Sequence, residues 1–344
     1  MDPPSTNERA MMFPPLVDSF GRIHTSLRVS VTDACNIRCR YCMPEFVKGF
    51  LPQDQLLSFE SIERVVRVLA KSGIKKVRLT GGEPLMRQNL AQLVKRLASI
   101  EGLEQIAMTT NGMLLPPMVH QLAEYGLTHV NVSLDTLREE SFRKMSRRNG
   151  IEQVIAGIES ALPTKMVVRL NALVLRDINL DDCIPLVEFA LERCLFIRFI
   201  EFMPLDADRQ WSRDQVVTGD ELRAILETRF GPLVPLERAD PAQPATDFGF
   251  AGRTERSGGV GFIDPVSKPF CESCNRLRLT AEGKFRNCLF GREEWDIRQA
   301  VESGVSDDAI YTIVANCVGA KYASHGISTS QFLQPPRAMY QIGG

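Results

Sequence analysis

The chain has 344 residues, with 41 basic side chains, 42 acidic side chains and 44% hydrophobic residues, a composition typical of globular proteins. This balance excludes an intrinsically disordered chain and a strongly basic protein that coats nucleic acid. The length predicts about two domains. Nine cysteines are too few for a disulfide-dense secreted scaffold of this length, yet six of them lie in two short stretches.

Nothing in the sequence directs the chain to a membrane or to export. The N-terminal residues include two early prolines and lack the apolar core of a signal peptide. The most apolar long stretch, residues 184–205, is interrupted by charges such as Glu188 and Arg198, which a membrane-spanning helix does not tolerate without special partners. We therefore expect a cytoplasmic protein with reduced thiols, and neither nucleic acid nor a membrane among its partners.

Short β-branched or apolar runs predict six strands, at residues 27–32, 76–80, 105–110, 129–134, 166–175 and 196–202. The clearest helix between them begins after Ser58, a residue type that caps helices, and ends at Gly73. The next one carries apolar residues at helical spacing, namely Leu90, Leu93, Val94 and Leu97. This alternation predicts an α/β fold, an incomplete (β/α)6 barrel, with functional residues at the C-terminal ends of its strands.

Composition suggests where the domains divide. Residues 1–26 are expected to form an N-terminal extension, and residues 27–231 the barrel, whose last helix begins near Thr218. After Gly231 the chain becomes rich in Pro, Gly and Ala. We expect residues 232–344 to form a smaller C-terminal domain that carries the second cysteine group and covers the barrel mouth.

The first cysteine group, Cys35, Cys39 and Cys42, follows the first predicted strand. Three thiolates at this spacing can hold three corners of an iron–sulfur cube, leaving one iron without a protein ligand. Zinc is an alternative, but structural zinc sites have four ligands and no histidine lies within ten residues of this loop. Free thiols are a third interpretation. The spacing favours the cluster.

The CxxxCxxC loop resembles the signature of the radical S-adenosylmethionine superfamily, including the aromatic Tyr41 before the third cysteine. Gly81, Gly82, Glu83 and Pro84 are similar to the GGEP motif of that superfamily, although alone they could form a simple turn. The resemblance implies that S-adenosylmethionine chelates the open iron. Electron transfer from the cluster then yields a 5'-deoxyadenosyl radical.

The second group, Cys271, Cys274 and Cys288, lies in the pattern FCxxCNRxRxxxxGxxxxC. A zinc knuckle completed by Cys317 is one interpretation. The pattern closely resembles the GTP 3',8-cyclase family, whose members catalyse the first step of molybdenum cofactor biosynthesis. The resemblance covers residues 27–344 and includes the segments KVRLTGGEPLMR, TTNG, NVSLDTL and IRFIEFM and a terminal glycine pair. It implies a second 4Fe-4S cluster with three cysteine ligands, whose open iron faces GTP. The first and second clusters then use Cys35, Cys39, Cys42, Cys271, Cys274 and Cys288.

The resemblance also assigns binding residues. GTP carries roughly four negative charges, and guanidinium groups suit its phosphates. The implied GTP contacts are Arg28, Lys76, Arg78, Thr109, Arg169, Arg198, Arg276 and Arg278, and the implied S-adenosylmethionine contacts are Tyr41, Gly82, Ser133 and Met203. Without the resemblance, the two C-terminal arginines could be a solvated basic strand and Met203 core packing. Catalytic roles are expected for the first three cysteines and for Arg276 and Arg278, which share a face if their segment is extended.

Three further expectations concern single residues. Arg169 stands where many family members have lysine, so the charge is kept but its geometry changes. The resemblance implies that Gly343 and Gly344 reach the active site rather than fray, and residues without side chains are able to enter a narrow pocket. The remaining thiols, Cys183, Cys194 and Cys317, are expected to be buried small hydrophobic residues.

The implied partners are GTP, an electron donor such as flavodoxin or ferredoxin, and cyclic pyranopterin monophosphate synthase, which receives the product. A homodimer is left open. Two other functions remain as alternatives. A radical S-adenosylmethionine peptide maturase would be expected to carry more C-terminal cysteines and no terminal glycine pair. A zinc-binding interaction module would lack the iron and the brown colour of two clusters.

Overall fold

A computed structural model describes residues 13–238, 240–254, 257–327, 329–330 and 332–343. Its strands are β1 (Ser26–Ser30), β2 (Lys76–Thr80), β3 (Gln105–Thr110), β4 (His129–Ser133), β5 (Val167–Val174), β6 (Phe196–Glu201), β7 (Leu233–Pro235), β8 (Thr246–Phe250), β9 (Gly259–Ile263), β10 (Arg276–Leu279), β11 (Lys284–Arg286) and β12 (Trp295–Asp296). The six predicted strands are confirmed, and β2 and β3 have the predicted bounds.

Helices lie between the strands and in the C-terminal part. They are α1 (Phe59–Ala70), α2 (Leu90–Ala98), α3 (Val119–Glu124), α4 (Glu139–Ser146), α5 (Ile151–Ala161), α6 (Arg176–Asn179), α7 (Cys183–Glu192), α8 (Gly219–Phe230), α9 (Arg298–Glu302), α10 (Asp307–Gly319) and α11 (Met339–Ile342). Among the described residues, none of these helices is long and apolar enough to cross a membrane.

Local sequence explains the best-defined helix. The Ser58 hydroxyl accepts a hydrogen bond from the Ser61 backbone N–H at 3.0 Å, which satisfies a donor that the first turn of α1 leaves free. Its apolar residues Ile62, Val65, Val66 and Leu69 are buried against the sheet. The helix ends at Ala70, and Gly73 follows in a turn with φ of +99°. Thr218 caps α8 in the same way.

The twelve strands found among the described residues belong to one sheet, in the order β12-β11-β10-β1-β2-β3-β4-β5-β6-β9-β8-β7. The predicted incomplete α/β barrel is confirmed, since β1 to β6 are consecutive parallel neighbours. Two C-terminal strands extend it: β10 pairs in parallel with β1, and β9 pairs in parallel with β6. Residues 233–296 thus add strands at both edges of the sheet. The division into domains at residue 231 stays a prediction.

Candidate active site

Three neighbouring parallel strands place arginines side by side. Arg28 on β1 is in register with Arg278 on β10 on one side and with Arg78 on β2 on the other. Leu27 and Val29, which alternate with Arg28, are fully buried in the core between sheet and helices. The three arginines therefore point to the opposite, inner face of the sheet.

The guanidinium groups on this face repel one another. Burial, and then the charges of Arg278, Arg276 and Arg78, lower the pKa of Arg28 well below its usual value. Burial and the charge of Arg276 lower the pKa of Arg278 to about 9. Burial and the charge of Arg169 lower the pKa of Arg78 to about 10. A bound anion would relieve this repulsion.

Two of the eight residues expected to contact GTP have acidic partners. The guanidinium of Arg198 makes a bidentate pair with Asp247, at 3.0 Å from Nε and 2.6 Å from Nη2. The ammonium of Lys76 pairs with Asp240. Within the described part of the chain, no ion pair joins the other five cationic residues of this set to a carboxylate, which leaves them available to an anionic ligand.

Thr109, the uncharged residue among those expected to contact GTP, lies beside one of the arginines. Thr109 is in β3, and its hydroxyl accepts a hydrogen bond from Nη1 of Arg78 at 3.3 Å. The same nitrogen also donates to the carbonyl of Met108 at 3.2 Å. The structure therefore places Thr109 at the arginine row, and no other role follows from its contacts.

The first cysteine trio lies in a partly buried loop after β1. Burial raises the pKa of Cys35 to about 11 and raises those of Cys39 and Cys42 further. After burial and the charge of Asp135, the charges of Cys35 and Cys42 also raise the pKa of Cys39. Neutral thiols are favoured here unless a metal supplies positive charge, and a cluster of iron ions fits that requirement.

Hydrogen bonds fix the trio's loop against two neighbouring elements. The Tyr41 hydroxyl donates to Oδ2 of Asp135 at 2.8 Å, while Oδ1 of the same carboxylate accepts from the Leu173 backbone N–H at 2.8 Å. Burial raises the pKa of Asp135 to about 6. The backbone N–H of Arg40 donates to the carbonyl of Met145 in α4. Sequence reasoning missed Asp135, whose contacts are far from it in the chain.

The two glycines of the GGEP motif allow close packing of backbone on backbone. A Cβ on Gly81 would lie 2.5 Å from the carbonyl oxygen of Thr32, and one on Gly82 would lie 2.3 Å from that of Ala34. The Gly82 N–H donates to Thr32 at 2.8 Å, and the Glu83 N–H to Ala34 at 2.7 Å. The motif therefore holds the segment that leads directly into Cys35.

Glu83, the acidic residue of the same motif, joins two strand ends. Its carboxylate accepts from the Thr110 hydroxyl at 2.7 Å, from the Asn111 N–H at 2.7 Å and from the Leu85 N–H at 3.0 Å. Burial raises its pKa to about 7 despite these bonds. Asn111 in turn contacts the first trio, with its amide nitrogen 3.9 Å from Sγ of Cys35. Neither role was found from the sequence.

The second cysteine trio flanks β10 and β11. Burial raises the pKa of Cys271, and the charges of Cys288 and Cys274 raise it further. Cys274 is different. Burial opposes its ionisation, but the charges of Arg276 and Lys321 prevail and lower its pKa to about 6. One thiolate is thus already favoured at this site, and thiolates are the ligands that iron–sulfur clusters use.

Within the described ranges, no group of three or more His, Cys, Asp or Glu side chains is placed so that it could hold a single metal ion. In an iron–sulfur cluster, by contrast, each thiolate binds its own iron. Each trio supplies three thiols, which are the ligand type and number that the cluster interpretation requires.

Apolar packing connects the two sides of the site. Tyr41 beside the first trio, Cys288 of the second, and Met203 after β6 belong to one hydrophobic cluster with Phe290 and Met339. Ser133 is the last residue of β4, at the C-terminal end of the sheet. These positions bring Tyr41, Gly82, Ser133 and Met203 to the strand ends that carry the first trio.

The C-terminal residues reach the inner face of the sheet. The carbonyl of Gly343 accepts a hydrogen bond from Nη1 of Arg278. Gly343 has φ of +71°, and a Cβ there would lie 2.4 Å from Oγ1 of Thr80 and 3.1 Å from Cβ of Ser30. Ser30 and Thr80 end β1 and β2. Gly344 lies outside the described residues.

One prediction about the remaining thiols is wrong. Cys183 and Cys317 are buried, as expected, but Cys194 is exposed. It follows α7 in the turn that leads to β6, with φ of +55°, a conformation typical of surface turns.

Comparisons with known proteins agree with this arrangement. A family model described as the Radical SAM superfamily matches residues 29–190, and one described as Molybdenum Cofactor Synthesis C matches residues 195–327. The first match contains the first cysteine trio, and the second contains the second trio.

Several curated relatives carry one name, GTP 3',8-cyclase. That of Rhodopirellula baltica is 48% identical over 96% of this chain and 92% of its own length. That of Corynebacterium glutamicum (strain ATCC 13032) is 40% identical over 99% of this chain and 91% of its own length. That of Heliobacterium modesticaldum is 41% identical over 96% of this chain and 100% of its own length.

Solved structures show a similar fold at low identity. SuiB of Streptococcus suis bound to S-adenosylmethionine has a TM-score of 0.60 at 12% identity and covers 92% of this chain and 77% of that chain. SuiB in a second crystal structure has a TM-score of 0.57 at 13% identity, over 92% of this chain and 78% of that one. At such identities the likeness concerns the fold alone.

Proposed function

The chain belongs to the GTP 3',8-cyclase family of radical S-adenosylmethionine enzymes, and from this premise we propose how its residues bind substrate and cofactors. The enzyme converts GTP to (8S)-3',8-cyclo-7,8-dihydroguanosine 5'-triphosphate, the first step of molybdenum cofactor biosynthesis. The observation that carries the proposal is the arginine row of β10, β1 and β2 on the inner face of the sheet, with one cysteine trio following β1 and the other flanking β10 and β11.

The triphosphate of GTP binds the cationic inner face. Four negative charges would offset the mutual repulsion that lowers the pKa values of Arg28, Arg78 and Arg278. Guanidinium forks give bidentate contacts to phosphate oxygens, and each such charge-assisted bond contributes about 1.5–3 kcal/mol. Arg169 belongs to the same set, since its charge lowers the pKa of Arg78. Its planar fork replaces the point charge of a lysine.

Cys35, Cys39 and Cys42 hold the first 4Fe-4S cluster, and S-adenosylmethionine binds beside it at Tyr41, Gly82, Ser133 and Met203. When bound, this pair supplies the 5'-deoxyadenosyl radical that removes hydrogen from C3' of the ribose. The bond from Tyr41 to Asp135 helps to hold the loop that carries the three sulfurs.

Cys271, Cys274 and Cys288 hold a second 4Fe-4S cluster, which binds the guanine base. Support comes from the charges of Cys274 and Cys288 that act on Cys271, and from the cations that lower the pKa of Cys274. Arg276 belongs to both parts of the site, because its Nη2 lies 3.5 Å from Sγ of Cys274 while its strand carries Arg278. It can therefore align the base with the phosphates, so that C3' lies near C8 when the ring forms.

The remaining partners follow from the reaction. An electron donor such as flavodoxin or ferredoxin supplies the electrons, and cyclic pyranopterin monophosphate synthase receives the product. Six cluster cysteines need a reducing compartment, which favours the cytoplasm. A homodimer is compatible with all of these roles.

Metal content tests the two-cluster proposal. After anaerobic reconstitution we expect about eight irons per chain in the parent protein, because each cubane holds four. Replacing Cys271, Cys274 and Cys288 together by alanine should leave about four, as should the same change at the first trio. Cys194→Ala is the matched control, since this thiol is exposed and belongs to neither trio, and it should leave the iron content unchanged. Zinc in place of iron at the second trio would contradict the proposal.

A further inference from the structure

A buried lysine contacts the second cysteine trio. Lys321, just after α10, is 5% exposed. Its Nζ lies 2.9 Å from Nε2 of His24, 3.2 Å from the carbonyl of Arg276, 3.3 Å from the carbonyl of Cys274 and 3.5 Å from Sγ of Cys274. The ammonium therefore faces the sulfur of an expected cluster ligand.

This ammonium has no carboxylate partner in the described part of the chain. Asp18 approaches His24 to 3.9 Å, but its carboxylate is bonded to the guanidinium of Arg22 at 2.6 Å. The imidazole of His24 is neutral, because burial and then the charge of Lys321 lower its pKa to about 4. Since an ammonium has no lone pair, His24 Nε2 accepts the proton of Lys321. The sulfur of Cys274 is thus the one contact of Lys321 among the described residues that can carry negative charge.

We propose that Lys321 is a positioning residue that compensates the charge of Cys274 and raises the reduction potential of the second cluster, an inference that rests on the proposed cluster at this trio. A buried cation needs an anion nearby, and a thiolate ligated to iron is one. Reduction adds negative charge to the cluster, which an ammonium at its ligand sulfur stabilises. Hydrogen bonds to cluster sulfurs are among the factors that set reduction potentials.

Lys321 differs from the other cation at this sulfur. Arg276 also approaches Sγ of Cys274, at 3.5 Å, but it lies on the strand that is expected to contact GTP. Its guanidinium is therefore shared between the ligand sulfur and substrate. Two backbone carbonyls hold the ammonium of Lys321 in place, so its charge acts on the cluster whether or not substrate is bound.

A purely structural role is the alternative. The bond from Lys321 to His24 joins the C-terminal part of the chain to residues near the N-terminus, and its bonds to the carbonyls of Cys274 and Arg276 fix the start of β10. Loss of these bonds alone would lower the melting temperature without changing the potential of a cluster that still binds. The two roles are therefore separated by potentiometry.

The experiment uses the full chain with Cys35, Cys39 and Cys42 replaced by alanine, so that the second trio alone gives the signal. Lys321→Met removes the charge at similar length, and Lys321→Arg keeps it. Lys144→Met is the matched control, because it makes the same change in net charge at an exposed lysine of α4 that pairs with Glu140 at the surface. The cluster of each variant is reduced stepwise with dithionite and mediators and followed by electron paramagnetic resonance.

We expect Lys321→Met to decrease the reduced-to-oxidised ratio at a fixed potential about tenfold, a shift of about 59 mV to more negative values. Lys321→Arg should stay near the parent value, and Lys144→Met should not shift. Lys321→Met could instead lose its iron while its far-ultraviolet spectrum stays unchanged and Lys321→Arg keeps its iron. That result would also support charge compensation by Lys321. An equal midpoint in parent and Lys321→Met would overturn the inference. Absence of iron from the parent background would instead refute the second cluster.

Discussion

Replacement of Gly343 by alanine tests how the C-terminal residues contribute to the site. The glycine adopts φ of +71°, and its carbonyl accepts a bond from Arg278. An added Cβ would lie 2.4 Å from Oγ1 of Thr80 and 3.1 Å from Cβ of Ser30. Both neighbours end buried strands, so neither can move far without disturbing the sheet.

Two costs combine in this variant. The left-handed conformation costs a residue with a Cβ about 1–2 kcal/mol. Overpacking against the two strand ends adds about 1–3 kcal/mol. At about 1.4 kcal/mol per factor of ten, the smaller estimates already lower the docked population of the last residues about thirtyfold. Undocking of the last residues requires less free energy than unfolding of the sheet, so the melting temperature should change little.

Turnover of GTP is the assay. We expect Gly343→Ala to lower kcat/KM for GTP at least about tenfold, with the iron content unchanged, because Arg278 loses its carbonyl partner. Deletion of Gly343 and Gly344 should abolish cyclisation and also spare the iron. Gly304→Ala is the matched control: φ is +74° there, but nothing lies within 4 Å of the added Cβ. Equal turnover in the two alanine variants would refute the reasoning.

Two further predictions concern charge. Arg28→Met should stabilise the ligand-free chain by about 1–3 kcal/mol in urea unfolding, since it removes a partly buried cation that three arginines repel. It should also weaken GTP binding about tenfold or more in calorimetry. Lower stability together with unchanged affinity would contradict this. Burial raises the pKa of Asp264 from 3.8 to about 6. Its contribution to the stability of the fold is therefore fully present below pH 3.8 and is lost as the pH rises through 6, where the buried carboxyl ionises. Asp264→Asn should therefore be more stable than the parent by about 1–2 kcal/mol at pH 8, a value reduced to allow for the partial exposure of this residue, but not at pH 4. If the free energies of unfolding of the two proteins differed by the same amount at both pH values, the raised pKa of Asp264 would be contradicted.

Local sequence was sufficient to predict much of the barrel. The strands at Lys76–Thr80 and Gln105–Thr110 have the bounds expected from β-branched runs, and Ser58 and Thr218 cap helices as their residue types indicate. These features depend on periodicity and on contacts within a few residues. The extension of the sheet could not be predicted in this way. Strand β10 pairs with β1 some 250 positions earlier, and no local pattern specifies such a neighbour.

The candidate site likewise contains residues that the sequence predicts and residues that only the fold reveals. Its cysteines and arginines are recognisable because their residue types and spacing carry the chemistry. Asp135, Asp247 and Lys321 were missed, since each acts through a partner that only the fold brings near. Cys194 was wrongly expected to be buried, because the burial tendency of cysteine does not anticipate a surface turn with positive φ.

The most direct measurement of the central claim is anaerobic turnover of the reconstituted protein with GTP, S-adenosylmethionine and a reductant. The arrangement of two cysteine trios around a cationic face predicts that GTP is consumed as 5'-deoxyadenosine forms, and that the 3',8-cyclised triphosphate is the product. Arg28→Met and Gly343→Ala should depress cyclisation while leaving the iron in place. Formation of 5'-deoxyadenosine without consumption of GTP would contradict the assignment of GTP as the substrate.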